Sequence, residues 1–138
     1  MNLLDAYALV AFLIGGPAAS RVRAALREGG AAVATANLAE ALDVAQRVHG
    51  LPIERAMELL DPLLESAITA VPLDVALARR AAEIRAVRYH RTSRPISLAD
   101  AILLASTRSG DRLYTADPDL VAVAAQEGIE AVVLPGQG

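Results

Sequence analysis

Short strand-forming runs alternate with longer segments of helical periodicity along the chain, and this alternation limits its fold more than any other feature. The short runs are rich in Leu, Val, Ile and Ala, and the longer segments repeat apolar residues every three or four positions. Parallel strands need a crossover segment between them, usually a helix. The pattern therefore predicts a three-layer α/β fold, with a central, mainly parallel sheet of about four to five strands flanked by helices.

Turn and capping signals set the predicted boundaries. Gly15, Gly29 and Gly50 mark helix ends, whereas Pro17 and Pro118 can begin helices. The predicted strands are 2–4, 31–34, 68–71, 112–114 and 131–134. The predicted helices are 6–14, 17–28, 38–48, 52–64, 75–89, 98–109 and 118–126, with a loop at 91–95. The buried side of the helix over 75–89 is predicted to consist of Val75, Ala78, Ala82 and residues 84–87.

The composition is that of one hydrophobic core. With 138 residues, of which 54% are hydrophobic, we expect a single domain over residues 1–138. The absence of cysteine excludes disulfides and thiolate zinc sites and fits a reducing compartment, so we expect the cytoplasm. Residues 1–16 lack a basic start and carry Asp5 within their apolar stretch. They are therefore not predicted to be a signal peptide or a membrane span.

Four acidic residues stand where helices are predicted to begin: Asp5, Glu40, Asp100 and Asp117. Each has a purely structural explanation, because the first turn of a helix is stabilised by carboxylates. Asp5 and Asp117 would be N-caps, and the other two would be third residues of capping boxes that begin at Ser97 and Asn37.

The same positions predict that the acids converge. Asp5, Glu40 and Asp117 follow strands, so they emerge at the carboxyl edge of a parallel sheet, where such sheets bind ligands. The helix that Asp100 opens can lie against that edge. Two carboxylates about 4 Å apart repel by roughly 4 kcal/mol at an effective dielectric of about 20, so a cluster must take up protons or bind a cation. Oxygen ligands favour Mg²⁺ or Mn²⁺, and the corresponding chemistry is phosphodiester hydrolysis.

Four short motifs carry a family resemblance: LLDA at 3–6, NLAE at 37–40, LADA at 98–101 and TADPDL at 115–120. In this order, and over essentially the whole chain, they resemble the PIN-domain nucleases, specifically the VapC-type toxins of bacterial toxin–antitoxin pairs. The resemblance implies an endoribonuclease that depends on Mg²⁺ or Mn²⁺. It also implies a homodimer that is held inactive by a cognate antitoxin protein.

The resemblance also assigns roles to individual residues. The implied catalytic residues are Asp5, Glu40, Asp100 and Asp117. The implied metal ligands are Asp5, Asp100 and Asp117. Glu40 and Asp119 are additional candidates, which would bind directly or through water, although Asp119 could equally stabilise the first turn of its helix. Thr115 matches the Ser or Thr that family members commonly carry near the site. One departure is Ala6-Tyr7, where the family often has a small polar residue after the first acid, so a partner for metal-bound water is missing there.

The basic residues are concentrated in one segment. All thirteen are arginine, and six of them lie between Arg79 and Arg94. Guanidinium groups match phosphate geometry, and Tyr89 in this segment can stack on a base, so the segment is the predicted RNA contact. A solvated helix face would have the same composition. The residues predicted to bind RNA are Arg85, Arg88, Arg91 and Arg94.

Other functions are weighed against these features. The net charge of -3 argues against coating of nucleic acid by bulk attraction, but not against an enzyme that reaches phosphate through a cation. His49 and His90 have no partner at metal-ligand spacing. A phosphoacceptor or phosphatase domain of similar topology normally uses a lysine near the phosphate, and the chain has none. An inactive PIN-like interaction module, whose acids serve only as caps, is the other alternative.

Overall fold

The predicted strands pair into one parallel sheet. In the computed structural model, which describes residues 1–136, the strands are β1 (Asn2–Leu4), β2 (Ala31–Ala34), β3 (Ile68–Val71), β4 (Arg112–Thr115) and β5 (Glu130–Val133). Their order across the sheet is β3-β2-β1-β4-β5, and every neighbouring pair is parallel. The predicted α/β class and the five-stranded sheet are confirmed.

The helices within residues 1–136 cover both faces of this sheet. They are α1 (Ala6–Ile14), α2 (Ala19–Glu28), α3 (Thr35–Arg47), α4 (Ile53–Ser66), α5 (Val75–Arg88), α6 (Leu98–Ser106) and α7 (Pro118–Gln126). One hydrophobic cluster contains residues of α1 to α4, and the other contains residues of α5 to α7. The chain crosses the sheet from β1 to β3 in one direction and then returns to β4 and continues to β5 in the other. Because crossovers between parallel strands are right-handed, these two directions place the helices on opposite faces.

Strand β1 is the central strand of the sheet and contributes to the hydrophobic clusters on both of its faces. Leu3 packs into the cluster of α5 to α7, and Leu4 packs into the cluster of α1 to α4; neither is exposed to solvent. Successive side chains of a strand point to opposite faces, so a central strand in a covered sheet is apolar throughout. The end of β1 is thus held rigidly from both sides, which fixes the backbone just before Asp5.

Helix α3 corrects one prediction. It begins at Thr35, directly after β2, with Ala34 in the N-cap position and no side-chain cap. Asn37 is therefore a buried residue inside the helix, and the predicted capping box of Asn37 and Glu40 is wrong. The start at Thr35 follows from the direct passage of strand into helix, which leaves no loop residue to act as the cap.

Helix α6 is shorter than predicted, because it ends at Ser106 rather than at 109. The hydroxyl groups of Ser106 and Thr107 donate to carbonyls of the last turn, at 2.7 Å to Ile102 and 2.6 Å to Leu104. The Asp111 carboxylate accepts the Arg108 N–H at 2.9 Å. These local bonds compete with the helix and end it.

The predicted buried side of α5 is largely wrong. Val75 is 87% exposed and Val87 is 74% exposed, whereas Ala81 and Ile84 are buried. Apolar residues occur all around this helix, so its periodicity does not mark a single face. Packing against α6 selects the buried side.

No single helix within residues 1–136 combines the length and apolar content needed to cross a membrane. Only α1 and α2 taken together meet that test, and the chain bends by 105° between them.

Candidate active site

The sheet changes direction between β1 and β4. Connections from β1 build the sheet towards β3, and β4 then lies on the other side of β1 and continues to β5. Open α/β sheets bind ligands at the carboxyl end of such a switch point. Asp5 follows β1 immediately, its N–H donates to the Tyr114 carbonyl at 3.2 Å, and Asp117 lies two residues after β4. Two of the predicted acids therefore flank the switch point.

Asp5 is the most deeply buried of the four acids, with 6% of its surface exposed. Its Oδ1 accepts the Ala8 N–H at 2.8 Å, so it is the N-cap of α1, as the structural alternative predicts. Burial raises the pKa of this carboxyl to about 7, although the Thr115 hydroxyl and the Ala8 N–H lower it. The charges of Asp100 and Glu40 raise it further. Asp5 makes no ion pair within residues 1–136.

Asp100 is held at the start of α6 by the predicted capping box. Its Oδ2 accepts the Ser97 N–H at 3.0 Å, and the Ser97 hydroxyl accepts the Asp100 N–H at 3.0 Å. Burial raises the pKa of Asp100, the bonds with Ser97 lower it, and the charges of Asp117 and Asp119 raise it again. Asp100 therefore lies within electrostatic reach of the acids that follow β4.

Glu40 lies inside α3 and has no capping role. Burial raises the pKa of Glu40, and the charges of Asp100 and Asp43 raise it further. Helices α3 and α6 pack against each other, which brings Glu40 towards Asp100. Four acids from four separate segments are thus linked in pairs by their charges: Asp5 with Asp100 and Glu40, Glu40 with Asp100, and Asp100 with Asp117.

The segment after β4 is tied together by short hydrogen bonds. The Thr115 hydroxyl, which is fully buried, accepts the Asp117 N–H at 3.1 Å. Asp117 Oδ1 then accepts the Asp119 N–H at 2.9 Å and caps α7. The Asp119 carboxylate forms an ion pair with Arg94, at 3.1 Å. Thr115 therefore fixes the backbone of one acid and also lies beside Asp5.

Capping and clustering are compatible in this arrangement. The caps at Asp5, Asp100 and Asp117 each occupy one named carboxylate oxygen, Oδ1, Oδ2 and Oδ1 respectively. The caps also orient the carboxylates, because the N-termini of α1, α6 and α7 meet at this edge of the sheet. The partial positive charge of a helix N-terminus favours an anion there. The structural explanation of the acids therefore does not exclude a functional one.

The donor set fits a hard divalent cation. Carboxylate oxygens are the preferred ligands of Mg²⁺ and Mn²⁺, and Mg²⁺ commonly binds only one or two carboxylates directly. Within residues 1–136, no three acidic or histidine side chains already stand at the mutual distances of a complete ligand set. A cation removes the repulsion between carboxylates that approach one another.

Asn37 is a site residue that the sequence assigned only as a cap. It is 1% exposed, and its Nδ2 donates to the carbonyl of Ala99, the residue before Asp100, at 3.5 Å. Its Oδ1 is buried without a hydrogen-bond partner among the described residues. Asn37 lies one turn before Glu40 on α3, so it connects the helices that carry Glu40 and Asp100. The signal in the sequence that could have placed Asn37 beside Glu40 is their spacing of three residues, which puts both on the same side of a helix.

An apolar hollow of about 340 Å³ adjoins the cluster between α1 and α3. Its lining includes Ala6, Tyr7 and Val44, with Glu40 at its border. The Tyr7 hydroxyl donates to the Pro135 carbonyl at 2.6 Å. Burial raises the pKa of Tyr7, and the charge of Asp5 adds to the rise. The Ala6-Tyr7 departure thus gives this side of the site an apolar wall.

The predicted RNA-binding arginines have different environments. Arg85 donates to the Ile96 carbonyl at 3.2 Å and stacks on Tyr89, with 4.3 Å to the ring centroid. Arg88 forms an ion pair with Glu127 at 2.8 Å. Arg91 is exposed. Arg94 alone among the four is paired with an acid next to the cluster, namely Asp119.

Neither histidine lies within a group of metal ligands. The His90 ring Nδ1 accepts the N–H groups of Thr92 and Ser93, at 3.2 and 3.1 Å, and so organises the turn that follows α5. His49 lines the apolar hollow. Among the described residues, no His, Asp and Glu side chains form a metal-ligand group of three or more.

The fold and the site together define a parallel α/β protein with an acidic centre at its switch point. The family model described as PIN domain matches residues 3–126, a span that includes all four acids. The chain therefore belongs to the PIN domain family. A comparison with curated proteins finds no match.

Solved structures share this fold. A chain of the DNA-bound VapBC complex from Salmonella typhimurium matches with a TM-score of 0.70 and 19% identity, over 96% of each chain. VapBC2 from Rickettsia felis, bound to a promoter DNA fragment, matches with a TM-score of 0.69 and 12% identity, over 97% of this chain and 98% of that one. VapC20 from Mycobacterium tuberculosis, described as a toxin that cleaves the sarcin-ricin loop, matches with a TM-score of 0.64 and 17% identity, over 99% and 91%. At these identities the similarity concerns the fold.

Proposed function

We propose that this chain is a metal-dependent endoribonuclease that hydrolyses RNA phosphodiester bonds at the acid cluster. The observation that carries the proposal is the meeting of Asp5, Glu40, Asp100 and Asp117 at the switch point. These four make no ion pair within residues 1–136, although the burial of Asp5 disfavours its charge. Uncompensated carboxylates in such a place are explained by a cation that the protein is built to bind.

In this proposal Asp5, Asp100 and Asp117 hold Mg²⁺ or Mn²⁺, and Glu40 and Asp119 contribute directly or through water. When bound, the ion supplies charge neutralisation for the phosphate and a water of lowered pKa. Membership of the PIN domain family supports this assignment. The chemistry of the donors supports it as well, because every one of them is a carboxylate oxygen.

The chain's own residues have separate roles in binding protons and in positioning the acids. Burial raises the pKa of Asp5 to about 7, so without a cation this carboxyl takes up a proton as the pH falls through neutrality. Glu40 has no capping bond to hold its carboxylate, so it is the acid best suited to accept a proton from an attacking water. Thr115 and Ser97 position Asp117 and Asp100 through their backbones. The N-termini of α1, α6 and α7 hold the acids in a common orientation.

We further propose that the enzyme is the toxin of a type II toxin–antitoxin pair. Support comes from the VapBC complexes and the VapC20 toxin that share its fold. The corresponding partners are an RNA substrate, a cognate antitoxin and a second copy of the chain. The corresponding organisation is a single domain over 1–138 that acts in the cytoplasm. Expression should arrest growth, and a small protein encoded next to it should relieve the arrest; harmless expression together with no binding neighbour would contradict this role.

RNA cleavage with and without EDTA tests the enzymatic proposal. We expect the wild type to cleave mixed-sequence RNA with Mg²⁺ or Mn²⁺ and to lose this activity in EDTA. Asp5→Asn and Asp100→Asn should fall to the EDTA background, since Asn retains the cap but not the charge. Asp61→Asn is the matched control, because Asp61 is an exposed acid on α4. Cleavage by both active-site variants at the wild-type rate would refute the assignment of the site.

A second candidate function is an inactive interaction module. The observation in its favour is that Asp5, Asp100 and Asp117 are all engaged as helix caps. In that case the wild type cleaves no RNA with either ion, and Mg²⁺ does not change its melting temperature. Cleavage that depends on Asp100 excludes this function.

A further inference from the structure

Arg94 is the cation that the fold places at the rim of the acid cluster. Its Nη1 donates to Asp119 Oδ1 at 3.1 Å, and both side chains are 34% exposed. The charge of Asp119 in turn reaches Asp100, where it raises the pKa. The guanidinium group of Arg94 is therefore separated from Asp100 only by Asp119, and both solvent and a ligand can reach it.

The turn between α5 and α6 holds Arg94 in this position. Its backbone pairs with His90 in both directions, at 2.9 and 3.1 Å, and its carbonyl accepts the Ile96 N–H at 2.9 Å. The His90 ring binds the N–H groups of Thr92 and Ser93 inside the same turn. Such a turn fixes the base of a long side chain before any ligand arrives, which lowers the entropy lost on binding.

Two neighbouring arginines, Arg85 and Arg88, are engaged within the protein, whereas Arg91 is exposed. The Nε of Arg85 donates to the Ile96 carbonyl, and the face of its guanidinium group stacks on the Tyr89 ring. Arg88 binds Glu127 through both Nε and Nη2. By contrast, only Nη1 of Arg94 is engaged within residues 1–136, so the rest of its fork is available to a phosphate oxygen.

We propose that Arg94 contacts the RNA phosphate beside the bond that is cleaved, and that Asp119 orients its guanidinium for this contact. The inference rests on the proposed ribonuclease function. An acid cluster repels the RNA backbone, and a guanidinium at its rim supplies the opposite charge in a geometry that matches phosphate. Asp119 is then a positioning residue for Arg94 as well as a neighbour of the metal ligands.

A structural role would give a different pattern of effects. If Arg94 only neutralised Asp119, its removal would be harmful because it leaves an extra negative charge beside Asp100. Neutralising Asp119 in the same protein would then restore RNA binding, which is measured without added metal and so does not depend on the metal-binding role proposed for Asp119. If Arg94 contacts phosphate, the double variant binds RNA as weakly as Arg94→Ala.

Four variants of the full chain separate the two roles: Arg94→Ala, Arg94→Lys, the double variant Arg94→Ala with Asp119→Asn, and Arg79→Ala. Arg79 is the matched control, because it forms an exposed ion pair with Glu83 on α5 at 2.9 Å. Cleavage of a mixed-sequence oligoribonucleotide gives kcat and KM. Binding of the same labelled RNA is measured over a range of salt concentrations in the Asp100→Asn background, where cleavage is not expected.

We expect Arg94→Ala to lower kcat/KM by about 10- to 100-fold, which is typical of a lost charge-assisted contact to a reacting anion. Arg94→Lys should recover only part of this loss, because an ammonium lacks the planar fork. The double variant should bind RNA as weakly as Arg94→Ala, and the kcat/KM of Arg79→Ala should stay within about twofold of the wild type. The salt slope of RNA binding should fall by about 0.7 when Arg94 is removed, the value for one phosphate contact on a single strand.

Two results would overturn the inference. The first is wild-type kcat/KM and salt slope in Arg94→Ala, and the second is full rescue of RNA binding in the double variant. Failure of the proposed function is a separate outcome, because there the wild type itself cleaves no RNA. Should Arg94→Ala not fold, Arg94→Lys decides the question, since it can keep the pair with Asp119 and still lose the fork.

Discussion

Asp5 and Asp111 are two buried aspartates at opposite ends of the same pair of strands, and their surroundings are opposite. Asp5 follows β1 at the carboxyl edge, and Asp111 precedes β4 at the amino edge. Their exposed fractions are similar, at 6% and 8%. Asp111 binds the Met1 amine and the Arg108 N–H, whereas Asp5 makes no ion pair within residues 1–136.

The pKa shifts of the two carboxyls follow from these partners and from how deeply each carboxyl is enclosed. Burial pushes the pKa of Asp111 upwards, but the hydrogen bonds and charges of the Met1 amine and Arg108 outweigh it, so the pKa is lowered. Burial raises the pKa of Asp5 to about 7, because its hydrogen bonds with Thr115 and Ala8 are not enough to offset it. Asp5 is enclosed more deeply than Asp111, and it has no charged partner among residues 1–136, so both differences separate the satisfied structural acid at one edge from the uncompensated acid at the other. The comparison indicates which buried acid is structural and which is available to a ligand.

The largest expected effect is a gain in stability from Asp5→Asn in metal-free protein at about pH 8. A shift from 3.8 to about 7 corresponds to roughly 4 kcal/mol of preference for the neutral acid, which is the upper limit of the gain. Because the folded-state pKa is raised, its stabilising contribution is complete below pH 3.8 and is lost as pH rises to about 7. Urea unfolding in EDTA at about pH 5 and about pH 8 should show the gain growing with pH.

Magnesium provides the control for this prediction. Mg²⁺ should stabilise the wild type, by about 2.7 kcal/mol at one hundred times its Kd, and should stabilise Asp5→Asn much less. A wild type that is more stable than Asp5→Asn in EDTA at about pH 8 would show that Asp5 already has a compensating partner.

Asp111→Asn should destabilise the protein, in contrast to Asp5→Asn. We expect a loss of about 1–3 kcal/mol in the free energy of unfolding, because a buried charge-assisted bond to the Met1 amine is removed. RNA cleavage by this variant should be unchanged, since Asp111 lies at the other end of the strands. Asp43→Asn is the matched control: its exposed pair with Arg47 should contribute less than about 1 kcal/mol. Equal effects of the two substitutions on stability would contradict the structural role of Asp111.

The smallest expected change in stability is that of Asn37→Leu. Replacing a buried amide that has an unpaired oxygen and one bond of 3.5 Å by an apolar isostere should change stability by less than about 1 kcal/mol. Cleavage should nevertheless fall, because Asn37 links the helices of Glu40 and Asp100. Denaturant unfolding and kcat together measure this separation. Unchanged kcat would remove Asn37 from the site and sharpen the contrast between the two edges.

Much of the fold and the arrangement of the acids could be predicted from local patterns. The strands are short apolar runs, and each of Asp5, Asp100 and Asp117 occupies a capping position that sequence spacing reveals. Their convergence follows from the parallel sheet, because carboxyl ends of neighbouring strands share one edge. These features depend on residues that are close in sequence or on a general rule of topology.

Features that depend on distant residues could not be predicted in this way. Arg94 pairs with Asp119 and Arg88 with Glu127, across 25 and 39 positions, so the sequence alone presented the arginines as equivalent. The burial of Asn37 depends on the packing of α3 against α6. The prediction of the buried face of α5 was wrong for a similar reason. Apolar residues occur all around this helix, so the elements that pack against it determine which face is buried.

The pairing of β1 with β4 has a consequence for the order of events in folding. The two strands are separated by 110 positions, and they join the halves of the sheet through three residue pairs. Closing so long a loop is entropically unfavourable, so this seam is expected to form late, after the local βα units. The acids on either side of it meet only then. A nascent chain on the ribosome therefore has no complete centre until β4 has emerged and docked, and synthesis itself delays the onset of activity.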